Sequence, residues 1–110
     1  MVRVCLTVSN GRLAAIESSG HSGAGVRGED VPCAAVSVLV RTVARVLLDE
    51  PDVELEAEPP QRGRIKITAI TCSEGKRPWL VGVTDVLARG IKDIVREYPD
   101  HVDLVVNIRE

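Results

Sequence analysis

The spacing of apolar residues alternates between two periods along this chain, and that alternation constrains the fold more than any other feature of the sequence. In five short segments apolar residues alternate with polar ones, which is typical of half-buried strands. In two longer segments they recur every three or four residues, which indicates helices that pack by one face. The predicted elements are strands over 2–8, 12–18, 53–58, 64–72 and 102–108, and helices over 30–50 and 78–98.

The order ββαββαβ predicts an α+β fold, with two helices packed on one face of a mainly antiparallel sheet. A chain of 110 residues has the length of one domain, so residues 1–110 are predicted to form a single domain. Asn10 and Gly11 tolerate positive φ and are predicted to form the first hairpin turn. The third and fourth strands carry mainly Glu and mainly Arg or Lys on their outer faces, which favours antiparallel pairing between them.

The first helix begins at a polar segment and is unusually apolar. Asp30 is a suitable N-cap, and Pro32 falls in the first turn, where a missing N–H costs little. The apolar residues cover more than one stripe, so the helix is predicted to be mostly buried, against the sheet on one side and a second subunit on the other. These residues are Val31, Ala34, Ala35, Val36, Val38, Leu39, Val40, Val43, Val46 and Leu47.

Composition excludes several classes of function. Fourteen Lys and Arg against sixteen Asp and Glu give a net charge of −2, and Trp79 and Tyr98 are the only aromatic residues. Direct nucleic-acid binding is not expected, because it needs a basic surface and often stacking aromatics. No apolar run reaches the ~20 residues that cross a bilayer, so no membrane partner is predicted. Three cysteines, and an N-terminus that resembles a strand and not a signal peptide, predict free thiols in a reducing cytoplasm.

A glycine-rich segment over 20–30 lies between the second strand and the first helix. Gly23, Gly25 and Gly28 have the G-x-G-x-x-G spacing of dinucleotide-binding proteins. We reject that interpretation, because the carboxylates of Glu29 and Asp30 at the start of the helix would repel a pyrophosphate. The cysteines and histidines also lack the short spacings of metal sites. No metal and no other cofactor is therefore predicted.

Thiol chemistry is the remaining interpretation of this segment. Two histidines and three cysteines give six His–Cys pairs, and only Cys33 falls in the first turn of a predicted helix. The field of a helix N-terminus favours the thiolate, and the N–H groups of Cys33 and Ala34 are expected to be free to hold an oxyanion. His21 precedes Cys33 by a loop that can bring its imidazole near the sulfur. Spacing alone leaves open a bland alternative, in which Cys33 is a small buried core residue.

The residues around this loop resemble a known family. Gly20-His21, Gly28-Glu29-Asp30 and Cys33-Ala34-Ala35-Val36-Ser37 are similar to the pattern G-H…G-x-D-x-x-C-A-A-V-S of the ribosomal-processing cysteine protease family, Prp. The order of strands and helices agrees over the whole chain. Ser22 and Pro32 depart from the pattern, because a small apolar residue and an aliphatic residue are expected there.

The resemblance implies a bacterial cysteine endopeptidase that uses a Cys–His dyad. It would remove the N-terminal extension of protein twenty-seven of the large ribosomal subunit, acting as a homodimer. Carried over by position, Cys33 is the nucleophile and His21 the base. Asp30 either orients the imidazole or caps the helix, and Ser37 supports the site. The glycine loop, which includes Ser22, Gly23, Gly25 and Gly28, would close over the substrate peptide.

A second hypothesis comes from another class of function. The chain could be a non-enzymatic, dimeric ribosome-assembly or adaptor protein that retains the motif for packing. It predicts a Cys33 of ordinary reactivity, whereas the protease hypothesis predicts an activated thiol.

Overall fold

The architecture is taken from a computed structural model, which describes residues 1–20, 30–59 and 61–109. Five strands and two long helices follow the predicted order. A short 3-10 turn, Glu74–Lys76, precedes the second helix. The elements are β1 Val2–Ser9, β2 Arg12–Ser19, α1 Val31–Asp49, β3 Val53–Ala57, β4 Arg64–Cys72, α2 Arg77–Glu97 and β5 Val102–Arg109.

The strands form one sheet in the order β3-β4-β2-β1-β5. Three of the four pairings are antiparallel, and β5 runs parallel to β1. These pairings make β2 parallel to β3 and β4 parallel to β5, so each helix connects two parallel strands that are not neighbours. The prediction of an α+β fold with a mainly antiparallel sheet is confirmed, with the parallel β1–β5 pair as the addition.

Backbone hydrogen bonds join neighbouring segments at the end of the sheet from which the chain continues to α1. There β2 ends and β5 begins: the Val2 N–H donates to the His101 carbonyl oxygen at 2.9 Å, and the Gly20 N–H donates to the Gly63 carbonyl oxygen at 3.0 Å. At the other end lies the Asn10-Gly11 turn, with φ values of 51° and 78°. Positive φ at both positions is the geometry of a tight two-residue hairpin turn.

The buried face of α1 differs from the predicted stripe. Val36, Val40, Val43 and Leu47 are buried under the helix, with Pro32 in its first turn. Val31, Ala34, Val38 and Val46 are exposed, as is Leu48. The prediction that α1 is mostly buried is therefore wrong for the single chain. An apolar pattern wider than one stripe does not show which residues face the sheet, since the rotation of the helix is set by packing.

The length and apolar composition of α1 bear on the expectation that no segment can cross a bilayer. By length and composition alone this helix could span a membrane, so the expectation that no segment is long and apolar enough is wrong. In the structure α1 packs its buried face into the same core cluster as the sheet. Arg41 and Arg45 lie in its middle, on the exposed side.

The charged strand faces pair less simply than the pattern predicts. The antiparallel β3–β4 pairing is confirmed, but Glu54 lies opposite Thr71 and Glu56 opposite Ala69. The oppositely charged contacts instead involve Glu58, which lies 3.8 Å from Arg64 and 3.4 Å from Lys66. The register, which the sequence pattern does not fix, decides which charges meet.

A bulge in β2 is tied to α2 by one hydroxyl group. Ala14 has no partner in the β1–β2 ladder, so Leu13 and Ala14 are both buried. The displaced Leu13 N–H donates to Thr84 Oγ1 at 2.7 Å, and the Thr84 hydroxyl donates to the Leu80 carbonyl oxygen at 2.7 Å. Thr84 is the one buried polar residue among the described residues. It satisfies a backbone donor that the bulge removes from the sheet.

Thr84→Val is therefore expected to lower the free energy of unfolding by about 1–3 kcal/mol, because the buried Leu13 N–H loses its acceptor. Urea unfolding measures the change. Thr68→Val is the matched control: the Thr68 hydroxyl donates to the Glu56 carbonyl oxygen at 3.3 Å on the exposed side of a second bulge. The control is expected to change stability by about 0.5 kcal/mol or less. Equal losses in the two variants would contradict this role for Thr84.

Candidate active site

Asp30 caps the N-terminus of α1. Its backbone is extended, with φ −79° and ψ 95°, and its Oδ1 accepts the Cys33 N–H at 3.0 Å. This is the geometry of an N-cap. Pro32 follows in the first turn, where its missing N–H leaves no helical bond unmade. The predicted cap is confirmed, and it places Cys33 in the first turn of a 19-residue helix.

The two backbone donors expected to hold an oxyanion are not free. The Cys33 N–H is bonded to the Asp30 carboxylate, and the Ala34 N–H donates to the Asp30 carbonyl oxygen at 3.0 Å. The prediction that these N–H groups are available is therefore wrong for this structure. The physical reason is the cap itself, because an N-cap side chain takes the N–H three residues on and its carbonyl takes the next one.

Cys33 and Ser37 lie one turn apart on α1. Both are half-buried, and the Cys33 side chain packs against the hydrophobic core. Cys33 is thus in contact with the core and still partly exposed to solvent. The arrangement suits a nucleophile at the edge of the core and equally a small packing residue, so burial alone does not decide between the two hypotheses.

The other two thiols lie elsewhere in the fold. All three cysteines are free. Cys5 pairs with Glu17 and Val105 across the sheet, on the face away from the helices. Cys72 pairs with Val53, just after the end of α1. Because a 19-residue helix is about 28 Å long, Cys72 lies far from Cys33 in its first turn. The fold thus places one cysteine, Cys33, at the start of a helix.

The predicted base and the glycine loop lie outside the described residues; they are His21, Ser22, Gly23, Gly25 and Gly28. The described chain stops at Gly20, whose backbone is informative. Gly20 has a φ of 95°, and a Cβ added there would run into the Met1 carbonyl oxygen. Only glycine fits both the positive φ and the close approach. The positive φ and the close contact with the Met1 carbonyl oxygen therefore fix the residue before His21 at this end of the sheet.

His101 lies at the same end of the sheet as the start of α1. The prediction placed it in a turn, and the structure has it in the turn between α2 and β5, where the His101 and Val102 N–H groups both donate to the Tyr98 carbonyl oxygen. His101 is half-buried there and has an interaction partner, so it is not a purely solvated side chain.

The fold and the helix start define a class: a small α+β protein with a cysteine in the first turn of a capped helix, directly after a glycine-rich segment. A sequence model of the cysteine protease Prp family matches residues 1–103, and the chain belongs to that family. No curated protein matches the chain in sequence.

Solved structures agree with this assignment at the level of the fold. The ribosomal processing protease Prp of S. aureus, with a covalently linked product peptide, matches with a TM-score of 0.81 at 17% identity, covering 97% of this chain and 100% of that one. SMU.848 from Streptococcus mutans matches with a TM-score of 0.76 at 24% identity, covering 99% and 96%. The S. aureus protease with a substrate peptide matches with a TM-score of 0.71 at 16% identity, covering 99% and 100%.

Proposed function

We propose that this protein is a cysteine endopeptidase that removes the N-terminal extension of protein twenty-seven of the large ribosomal subunit. The observation that carries the proposal is the position of Cys33, the one cysteine at a capped helix start, in a chain of the Prp family. The S. aureus structures contain a substrate peptide and a covalently linked product peptide. They support a peptide as the substrate here.

The proposed chemistry uses a dyad of Cys33 and His21. The Cys33 thiol gives its proton to the His21 imidazole, and the sulfur attacks the scissile carbonyl carbon. The imidazolium then protonates the leaving amine, and a water molecule, deprotonated by His21, hydrolyses the thioester. Cys33 lies in the first turn of α1, the end of the helix at which the peptide dipoles present their positive pole. No metal or organic cofactor takes part in this reaction.

The proposal extends to assembly and location. We propose that the protein acts in the cytoplasm, which the three free thiols support because a reducing compartment keeps cysteines unpaired. We also propose that it is a homodimer, because several large apolar side chains are exposed on the single chain. They include Val31, Val38, Leu48, Val86, Val106 and Ile108.

Cleavage of the ribosomal protein tests the proposal directly. The purified chain is incubated with that protein bearing its native N-terminal extension, and mass spectrometry reads the products. A product that lacks the extension supports the proposed function. A substrate that stays intact, with a folded enzyme shown by circular dichroism, contradicts it.

Asp30 has two separable roles in this proposal, a helix cap and an acid that orients the His21 imidazole. Asp30→Ala is expected to lower the free energy of unfolding by about 1 kcal/mol, because the Cys33 N–H loses its acceptor. Asp30→Asn keeps a good cap and is expected to stay within about 0.5 kcal/mol of wild type. Because Asn lacks the charge that stabilises an imidazolium, the same variant is expected to lower kcat at least ~10-fold.

Urea unfolding and cleavage kinetics on the same samples measure the two effects. If Asp30→Asn has the kcat of wild type, Asp30 does not orient the imidazole and acts only as a helix cap. If Asp30→Ala is as stable as wild type, the Asp30 cap does not contribute to the free energy of unfolding.

A further inference from the structure

The two edges of the sheet are protected to different degrees. The β3 edge is five residues long, carries Glu54 and Glu56, and is followed by Pro59. Short length, charge and proline are the features that keep an edge strand from pairing with another chain. The β5 edge is eight residues long, and its stretch from Leu104 to Ile108 has neither charge nor proline.

The β5 edge also exposes apolar side chains on both faces. Val105 is 37% exposed on the face away from the helices, and Val106 and Ile108 are 38% and 81% exposed on the helix face. A long strand with unpaired backbone groups and exposed valine and isoleucine is a template for a further strand. We propose that β5 pairs antiparallel with β5 of a second copy of this chain, in a register centred on Val106, which joins the two sheets into one. The inference gives an interface to the homodimer proposed above.

Charge complementarity selects this register. A two-fold axis perpendicular to the sheet keeps the two faces of each strand matched, so residues equally far from Val106 lie opposite each other. Asp103 then faces Arg109 of the second copy, and the same pair occurs again across the axis. Arg109 has no ion-pair partner among the described residues. Asp103 lies 3.5 Å from Arg3, with a side chain 44% exposed and able to accept a second cation.

The apolar residues of the helix face match in the same register, whereas Val105 on the other face lies opposite Asn107 of the second copy. Leu104 faces Ile108 of the second copy, and Val106 faces its own counterpart, all on the helix face. Cross-strand pairs of this kind stabilise a sheet. Centring the pairing on residue 105 or 107 removes the Asp103–Arg109 pairs, since Asp103 then faces Asn107 or lies beyond the strand. Only the central register satisfies both charge and apolar contact.

The exposed face of α1 suits a second copy less well. It carries Val38 and Leu48, but Arg41 and Arg45 lie between them. Neither arginine has an ion-pair partner among the residues that the structure describes. A two-fold contact across the middle of this face would bring four guanidinium groups together without a carboxylate beside them, which is unfavourable. The β5 edge therefore carries the proposal.

Charge reversal with complementation is the test. Wild type is expected to sediment at twice the chain mass of 11.9 kDa. Arg109→Asp and Asp103→Arg are each expected to sediment as monomers, because each places like charges opposite one another. An equimolar mixture of the two variants is expected to regain the doubled mass, because the heterodimer restores both opposite-charge pairs. Thermal melts confirm that each variant is folded.

Two control variants locate the interface. Val38→Lys on the exposed side of α1 and Glu54→Arg on the β3 edge are both expected to remain dimeric. A monomeric wild type, a mixture that stays monomeric, or a Val38→Lys monomer beside a dimeric Arg109→Asp would each overturn the β5 interface. Cleavage measured on the same samples separates the proposals: a dimer that fails to cleave counts against the endopeptidase and not against the interface.

Discussion

Replacing Cys33 with alanine is expected to lower kcat/KM for cleavage of the ribosomal substrate by at least ~1000-fold, because the acylation step loses its nucleophile. Two matched controls exist in the chain. Cys5→Ala and Cys72→Ala remove half-buried thiols that lie on the far face of the sheet and beyond the end of α1. Both are expected to cleave within a few-fold of wild type. Equal cleavage by Cys33→Ala and wild type would exclude Cys33 as the nucleophile.

The same cysteines distinguish the endopeptidase from a non-enzymatic assembly protein. In the double variant Cys5→Ala/Cys72→Ala, Cys33 is the single thiol, so its alkylation by iodoacetamide can be followed against pH without interference. An activated thiolate reacts below the pH at which free cysteine does. An alkylation profile like that of free cysteine, together with an absence of cleavage, would favour the assembly protein.

The local elements were predictable because each depends on its own residues. The Asn10-Gly11 turn, the Asp30 cap and the seven-element order follow from turn chemistry, capping and apolar spacing. The bulges could not be predicted in the same way. The extra residues Ala14 and Thr68 are fixed by partners distant in sequence, such as the Thr84 hydroxyl that accepts the Leu13 N–H. The parallel β1–β5 pair likewise depends on how α2 crosses the sheet.

The error at the candidate site has a different origin. Asp30 as N-cap and free N–H groups on Cys33 and Ala34 are incompatible, because the cap uses both groups. The occupied donors could therefore have been predicted from the sequence. The residue that marks the start of the helix, Asp30, is also the one that accepts the N–H groups of Cys33 and Ala34. What the sequence shows reliably at this site is the placement of Cys33, whereas donor availability depends on the geometry of the cap.

Gly20→Ala is expected to lower the free energy of unfolding by about 2–4 kcal/mol, one of the largest effects of any substitution outside the core. Two causes add. The first is the φ of 95°, a backbone conformation that residues with a side chain rarely adopt. The second is that the new methyl group would run into the Met1 carbonyl oxygen, a backbone atom that moves only if β1 shifts. Because His21 follows directly, a shift of this segment also displaces the proposed base, so kcat for cleavage is expected to fall at least ~10-fold.

A second glycine supplies a control of opposite sign. Gly82 lies inside α2, where an added Cβ would have nothing within 4 Å. Gly82→Ala is therefore expected to raise the free energy of unfolding by about 0.5–1 kcal/mol, since alanine is the better helix former, and to leave cleavage unchanged. Urea unfolding and kinetics on both variants test the pair. A Gly20→Ala protein as stable and as active as wild type would show that the Met1 segment yields freely, and that the sheet end does not hold the residue before His21 in place.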